Sequence, residues 1–113
     1  MEKLDLYRSL IEKTLTQYCR WAANALPDGV QECVSFDRER DHYFWFSLGW
    51  HGKQRVFKIV VYLRIQDEKI WIEEDWTEAG IANDLLEAGI SAENIVLGFQ
   101  HPTKRGLTEF ALA

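Results

Sequence analysis

Two cysteines and two prolines in 113 residues leave little with which to staple or stiffen a chain. Cys19 and Cys33 fall in different predicted elements and show neither C-x-x-C nor Cys/His spacing, so a disulfide framework and a zinc site both lack their signature. They read as free, packed thiols. Long apolar runs are missing too. None approaches the ~20 residues that cross a bilayer, and Met1-Glu2-Lys3-Leu4-Asp5 lacks the basic-then-apolar order of a signal peptide. A cytoplasmic chain without membrane contact is the expectation. Bases are scarce through the middle: from Gln66 to Glu93 nine acids face the single Lys69, while the remainder holds nine acids and twelve bases. The net charge of -5 therefore hides an acidic half-face of -8. Such a surface repels phosphate, and the small clusters Arg38/Arg40, Lys53/Arg55 and Lys104/Arg105 do not reverse it.

Apolar bulk is what the chain does have. Its residues are 47% apolar, with five Trp, four Tyr and six Phe. A chain of this length buries roughly two thirds of its unfolded surface. That suffices for a core without metal or disulfide, and the absence of repeats, low-complexity tracts and linkers points to one domain over residues 1–113.

Leu4, Tyr7, Ile11, Leu15, Tyr18, Ala22 and Ala25 recur at steps of three and four, which predicts a helix from about Lys3 to Ala25. Pro27-Asp28-Gly29 stops it with turn chemistry. Val30 to Phe36 reads as a strand with Val30, Val34 and Phe36 on one side. The next run alternates clearly, with His42, Phe44, Phe46, Leu48 and Trp50 opposite Tyr43, Trp45, Ser47 and Gly49. After His51-Gly52-Lys53-Gln54, Arg55 to Ile65 sets Phe57, Ile59, Val61, Leu63 and Ile65 on one face. Gln66-Asp67-Glu68 then turns the chain into Lys69 to Glu74. Short connections imply antiparallel neighbours. The expected fold is α+β: a long N-terminal helix packed on a four-stranded antiparallel meander, followed by one or two short helices. Asp75 and Glu78 have capping-box spacing before a helix over Thr77 to Ala88, which Gly89 ends. Ser91 can cap a short turn over Ala92-Glu93-Asn94. Ile95-Val96-Leu97-Gly98-Phe99 is too short to classify by period, and Glu109 to Ala113 can pack on the core or extend outward.

Catalytic patterns are thin. Alternation places Glu73 and Asp75 on one side of a strand, where paired carboxylates hold a hard cation or act as acid and base, so a small metal-dependent enzyme is the alternative reading. No third ligand is fixed. Asp67-Glu68-Lys69 matches an acid-x-Lys nuclease pattern only superficially, since it fills a hairpin turn. His42, His51 and His101 have no orienting partner at strand spacing; Asp41 adjoins His42 but points to the other face. No G-x-S-x-G elbow, G-x-G-x-x-G or G-K-[ST] loop is present, so acyl transfer and nucleotide binding lack their frames. No cofactor is expected. Trp45, Trp50, Trp71 and Trp76 exceed what one small core needs and suggest a contact patch.

Taken together, the segments Arg40-Asp41-His42-Tyr43, Gly49-Trp50, Lys69-Ile70-Trp71-Ile72 and Asp75-Trp76-Thr77-Glu78-Ala79-Gly80-Ile81-Ala82-Asn83-Asp84-Leu85 carry a resemblance, joined by Ile95-Val96-Leu97-Gly98-Phe99, Pro102, Lys104-Arg105 and Phe110-Ala111-Leu112-Ala113. In order and spacing they resemble the XisI family of fdxN-element excision controlling factors, found mainly in cyanobacteria. The resemblance implies a control factor for a DNA rearrangement in heterocyst differentiation. It implies action through a XisH-like companion and a site-specific recombinase, and no enzymatic activity of its own. Relatives often carry His directly after Gly-Phe; here that position is Gln100, with His101 one residue later, which argues against a catalytic histidine in this loop.

For partner contact the segment after the second helix is the first candidate. Gly98 permits a close backbone approach, Phe99 offers an anchor beside Leu97, and Lys104 with Arg105 can steer an acidic partner or a second copy into a homo-oligomer. Leu97 and Phe99 completing the core is the plain alternative. Changing both Lys104 and Arg105 to Ala is then expected to spare the fold and slow association. The aromatic face around Trp45 and Trp76 is the next candidate. For DNA, the acidic half-face predicts that the isolated chain binds duplex only non-specifically, at ~10⁻⁴ to 10⁻⁶ M near physiological salt. A fluorescence-anisotropy titration showing nanomolar, sequence-selective binding would instead make it a direct reader.

Overall fold

The helical spacing at the start of the chain is realised as α1 (Glu2–Ala23), which buries Tyr7, Ile11 and Leu15 on one face, in a computed structural model that describes residues 2–25 and 28–113. Pro27, part of the expected stop, lies outside the described residues. Gly29 does turn the chain: its φ is +92°, and a Cβ there would meet the Trp50 carbonyl at 2.5 Å.

Four strands follow as a meander: β1 (Val30–Asp37), β2 (His42–His51), β3 (Gln54–Gln66) and β4 (Lys69–Asp75), each antiparallel to the next. The turns explain the registers. Asp37 Oδ1 accepts from the amides of Glu39 and Arg40 and closes the β1–β2 loop. Asp67 and Glu68 both hold positive φ, 54° and 61°, the pairing a two-residue mirror-type hairpin turn requires between Gln66 and Lys69. Asp67-Glu68-Lys69 is thus a turn, as its sequence position implies.

Past β4 come α2 (Ile81–Glu87), a short 3-10 turn (Ala92–Asn94), β5 (Ile95–Leu97) and α3 (Pro102–Arg105). The apolar run that periodicity could not classify is a strand. β5 pairs parallel to β4, Ile70 with Ile95 and Ile72 with Leu97, and makes a five-stranded mixed sheet in the order β1-β2-β3-β4-β5. The crossover through α2 is what permits a parallel neighbour. The α+β expectation therefore holds, with one strand more than the meander. The tail folds back: Ala111 N–H donates to Ile95 O and Phe110 packs against the core.

The second helix starts later than its spacing suggested. Gly80 has φ +89° and cannot be helical, so α2 begins at Ile81 rather than Thr77. Asp75 still caps it, but from a distance: one carboxylate oxygen accepts from the Thr77 amide and hydroxyl, the other from the Ile81 amide at 2.8 Å. Ser91 precedes the 3-10 turn, yet its carbonyl, not its side chain, accepts from Asn94.

α1 and α2 lie on the same side of the sheet and bury Tyr43, Trp45, Val61, Leu63, Ile70 and Ile72 beneath them. Polar ties cross this layer. Arg8 Nε donates to Asp41 at 2.8 Å, and the Tyr43 hydroxyl donates to the same carboxylate. Burial works to raise the Asp41 pKa, but those hydrogen bonds and the Arg8 charge hold it below the ordinary carboxylate value. The Tyr18 ring stacks on Trp45 with centroids 5.6 Å apart, and its hydroxyl donates to Asp84 of α2 at 2.7 Å. Both cysteines are free and half-buried, and burial pushes the Cys19 thiol up.

Tyr18 makes the packing pH-dependent at the alkaline end. Burial, then the hydrogen bond to Asp84, pushes its pKa from 10.0 up to about 12. A group whose folded pKa is raised contributes stability that is whole below its unfolded pKa and is lost as pH climbs through the folded one. Thermal melts from pH 8 to 12 should show Tm falling above about pH 10, and Tyr18→Phe should flatten part of that fall. An identical alkaline slope in both proteins would assign the loss to other groups.

Candidate functional site

The long helix and α2 cover one face of the sheet, and α3 meets the other at Trp71, beneath Arg105. That other face carries His42, Phe44, Phe46, Tyr62, Arg64 and Trp71, and two bulges decide who joins them. β3 pairs Trp45 with Val61 and then Phe46 with Ile59, so Val60 is an extra residue. Beyond it the side-chain alternation inverts. Phe57 and Ile59, expected on the same face as Val61 and Leu63, therefore lie opposite Leu48 and Phe46 on the open face, 64% and 38% exposed. Phe44 stacks on Tyr62 with centroids 4.3 Å apart, and the Tyr62 hydroxyl shares a 2.7 Å hydrogen bond with His42 Nδ1. His42 is thus a packed strand histidine among aromatics, and Asp41 does not orient it.

The second bulge separates the paired carboxylates. β4 opposes Tyr62 with Glu74 and Leu63 with Ile72, leaving Glu73 as the extra residue. Glu73 accepts from Arg64 Nε at 2.5 Å on the open face, whereas Asp75 is turned to the other side and spent on the start of α2. The expectation that Glu73 and Asp75 share a side is corrected by this one inserted residue. Among the described residues no group of three or more His, Cys, Asp or Glu side chains converges.

Of the candidate contact residues, Trp45 is placed elsewhere. It is buried under α1, with its indole N–H donating to Glu32, because Tyr43 and Trp45 form the core side of β2. Trp76 and Phe99 are brought together. Both are exposed, 61% and 48%, and with Glu74 and Asp75 they line a groove of about 200 Å³. A second groove of about 530 Å³ runs from Trp76 to Phe57, Ile59 and Tyr62, and Lys58 Nζ sits 4.1 Å from the Trp76 ring centroid. Trp76, Phe57, Ile59 and Phe99 thus form one exposed apolar strip. Phe57 and Ile59 were missed because nothing in their sequence marks the bulge at Val60.

The glycine and the bases behind this strip separate into different roles. A Cβ on Gly98 would lie 2.6 Å from Glu73 Oε1 and 3.1 Å from Ile72 O, so Gly98 serves the close approach of β5 to β4. Leu97 is half-buried and packs on the core, while Phe99 donates its amide to Ile72 O and leaves its ring outside. Lys104 is exposed. Arg105 is 9% exposed, and its guanidinium donates to the carbonyls of Leu97, Gln100, Leu112 and Gly98 at 3.1–3.4 Å above Trp71. The adjacent bases are therefore not a free pair: one faces solvent and the other ties the 97–100 segment to the tail at Leu112. His101 caps α3, its Nδ1 accepting from the Thr103 amide.

The XisI protein family model matches residues 1–112. This chain belongs to the XisI family. Two solved structures from Anabaena variabilis are similar to it. One is a XisI-like protein, 35% identical, with TM-score 0.90 and 97% of this chain and 99% of that chain covered. The other is the fdxN element excision controlling factor XisI, 50% identical, with TM-score 0.86 and coverages of 98% and 99%. No match is found among curated proteins. In this XisI-family chain no helix among the described residues is long and apolar enough to cross a membrane.

Arg105 supplies the test of these assignments. Removing a buried guanidinium that serves four carbonyls should cost about 2–4 kcal/mol, against less than about 0.5 kcal/mol for an exposed lysine. Urea denaturation of Arg105→Ala and Lys104→Ala should show that contrast, which replaces the expectation that both bases can go without harm to the fold. Equal midpoints would place Arg105 outside the structural framework.

Proposed function

We propose that this chain is a regulatory subunit in the excision of a DNA element, acting by protein contact with a XisH-like companion and, through it, a site-specific recombinase, with no chemistry of its own. The exposed strip of Trp76, Phe57, Ile59 and Phe99 is the observation that carries the reading, because exposed aromatic anchors bordered by both Lys58 and Glu74 suit protein recognition. Three further observations support it. Glu73 and Asp75 are each occupied by a structural partner. The three histidines lie far apart in function: one hydrogen-bonded to Tyr62, one capping a short helix, one at a hairpin end. The family match and the excision controlling factor at 50% identity supply the biological process.

Trp76→Ala combined with Phe99→Ala tests the reading in a heterocyst-forming cyanobacterium that carries such an element and lacks its own copy of this protein. Two central aromatic anchors are worth roughly 2 kcal/mol each, so affinity for the companion should fall by roughly a thousandfold. The ratio of excised to intact junctions, read by quantitative PCR, should move toward that of the null strain. A folded double variant that binds the companion and controls excision as the wild type does would refute the proposal.

A further inference from the structure

β3 is longer than the strand that covers it. It runs from Gln54 to Gln66, but β4 pairs with it only from Val61 onward, and the Trp76 amide bonded to Val60 O is the last rung. From Gln54 to Ile59 the edge away from β2 has no strand beside it among the described residues, and five of these six residues are exposed. Backbone direction can be traced along it. Trp50 N–H donates to Gly29 O, so Trp50 faces β1 and His51 faces β3, where it pairs with Gln54 across the two-residue turn. Alternation then turns the amides and carbonyls of Arg55, Phe57 and Ile59 outward. This edge has no proline and no bulge below Val60; charge is its only guard.

That charge has one sign. His51 to Val60 holds Lys53, Arg55 and Lys58 and no acid, in a chain of net charge -5. Beside the bases stand Phe57, Ile59 and Trp76, all exposed. We propose that this edge accepts an extended segment of a partner protein, carrying two carboxylates three residues apart with apolar residues between and beside them, as a sixth strand of the sheet. The ladder supplies affinity, Phe57 and Ile59 meet the apolar side chains, and Arg55 with Lys58 select the carboxylates. A second copy fits poorly. Antiparallel self-pairing opposes outward residues to outward residues, which centres it on Phe57 with Arg55 opposite Ile59, and it would gather two sets of Lys53, Arg55 and Lys58 on an edge that holds no acid, so the copies repel. A sugar-phosphate chain could use the bases and the outward amides but offers no donor to the carbonyls that alternate with them.

The inference rests on the reading of this chain as a protein-contact subunit, and its test needs no excision. The full chain is titrated with the peptide Thr-Val-Glu-Val-Val-Glu-Val-Thr and with its counterpart bearing Lys for both Glu, while NMR follows amide exchange at Arg55, Phe57 and Ile59. The glutamate peptide should protect those three amides and bind about tenfold or more tightly than the lysine peptide. Arg55→Glu with Lys58→Glu should invert that preference, an outcome that a misfolded variant cannot produce. Equal binding of both peptides, or no protection at these amides with millimolar peptide, overturns the inference. So does protection of the same amides by oligothymidylate in preference to peptide, or by self-association in sedimentation at rising protein concentration.

Discussion

Two inserted residues, Val60 in β3 and Glu73 in β4, govern the whole of this sheet. A strand has a side-chain period of two, so one extra residue sends everything beyond it to the opposite face. Val60 lets Val61 and Leu63 stay in the core while Phe57 and Ile59 come out on the uncovered side. Glu73 lets Ile70 and Ile72 remain buried while Asp75 reaches the helical layer and caps α2. Without the first there would be no exposed apolar strip. Without the second, α2 would lose its cap and two carboxylates would face the same way.

Polar groups that look chemically promising are consumed by such structural needs. Asp41 binds Arg8 and Tyr43, Glu32 serves Trp45 and Ser47, Glu73 pairs with Arg64, and Arg105 gathers four carbonyls. Each bond satisfies a group that would be costly to leave bare at partial burial. Beside the β2–β3 hairpin and Trp76 the surface is apolar and basic. With Asp41, Glu32 and Glu73 engaged in the framework, the exposed aromatics Trp76, Phe57 and Phe99 are the surface on which the proposed protein contact rests.

Helix α1, the four hairpin-linked strands and both two-residue turns were legible because each rests on a local rule: a three-to-four spacing, alternation, turn residues. The side of β2 that holds Tyr43 and Trp45 was legible as a face, but not as the buried one, since both faces of that strand are aromatic. By sequence Trp45 accordingly reads as a contact residue, whereas Tyr18 and Glu32 hold it inside. The bulges were illegible. Val60 and Glu73 are ordinary strand residues, and only pairing with distant partners reveals them as surplus. Arg105 misled for a related reason: adjacent to Lys104 it reads as half of a basic pair, and the carbonyls it serves, from Leu97 to Leu112, converge only in the folded tail.

The parallel placement of β5 has a kinetic consequence. Every contact in the β1–β4 meander joins neighbours in sequence, so its loops close at small entropic cost and early. β5 reaches β4 only through the excursion over α2, pairing Ile70 with Ile95. Until that closure the outer rim of β4, with Ile70 and Ile72 at its centre, is an unpaired apolar ribbon. A nascent chain emerging N-terminus first exposes that rim until β5 has followed it out, and during that interval it is most prone to join the wrong strand. The segment that follows α2, with Arg105 drawn onto its carbonyls, is therefore the clasp that ends the vulnerable phase.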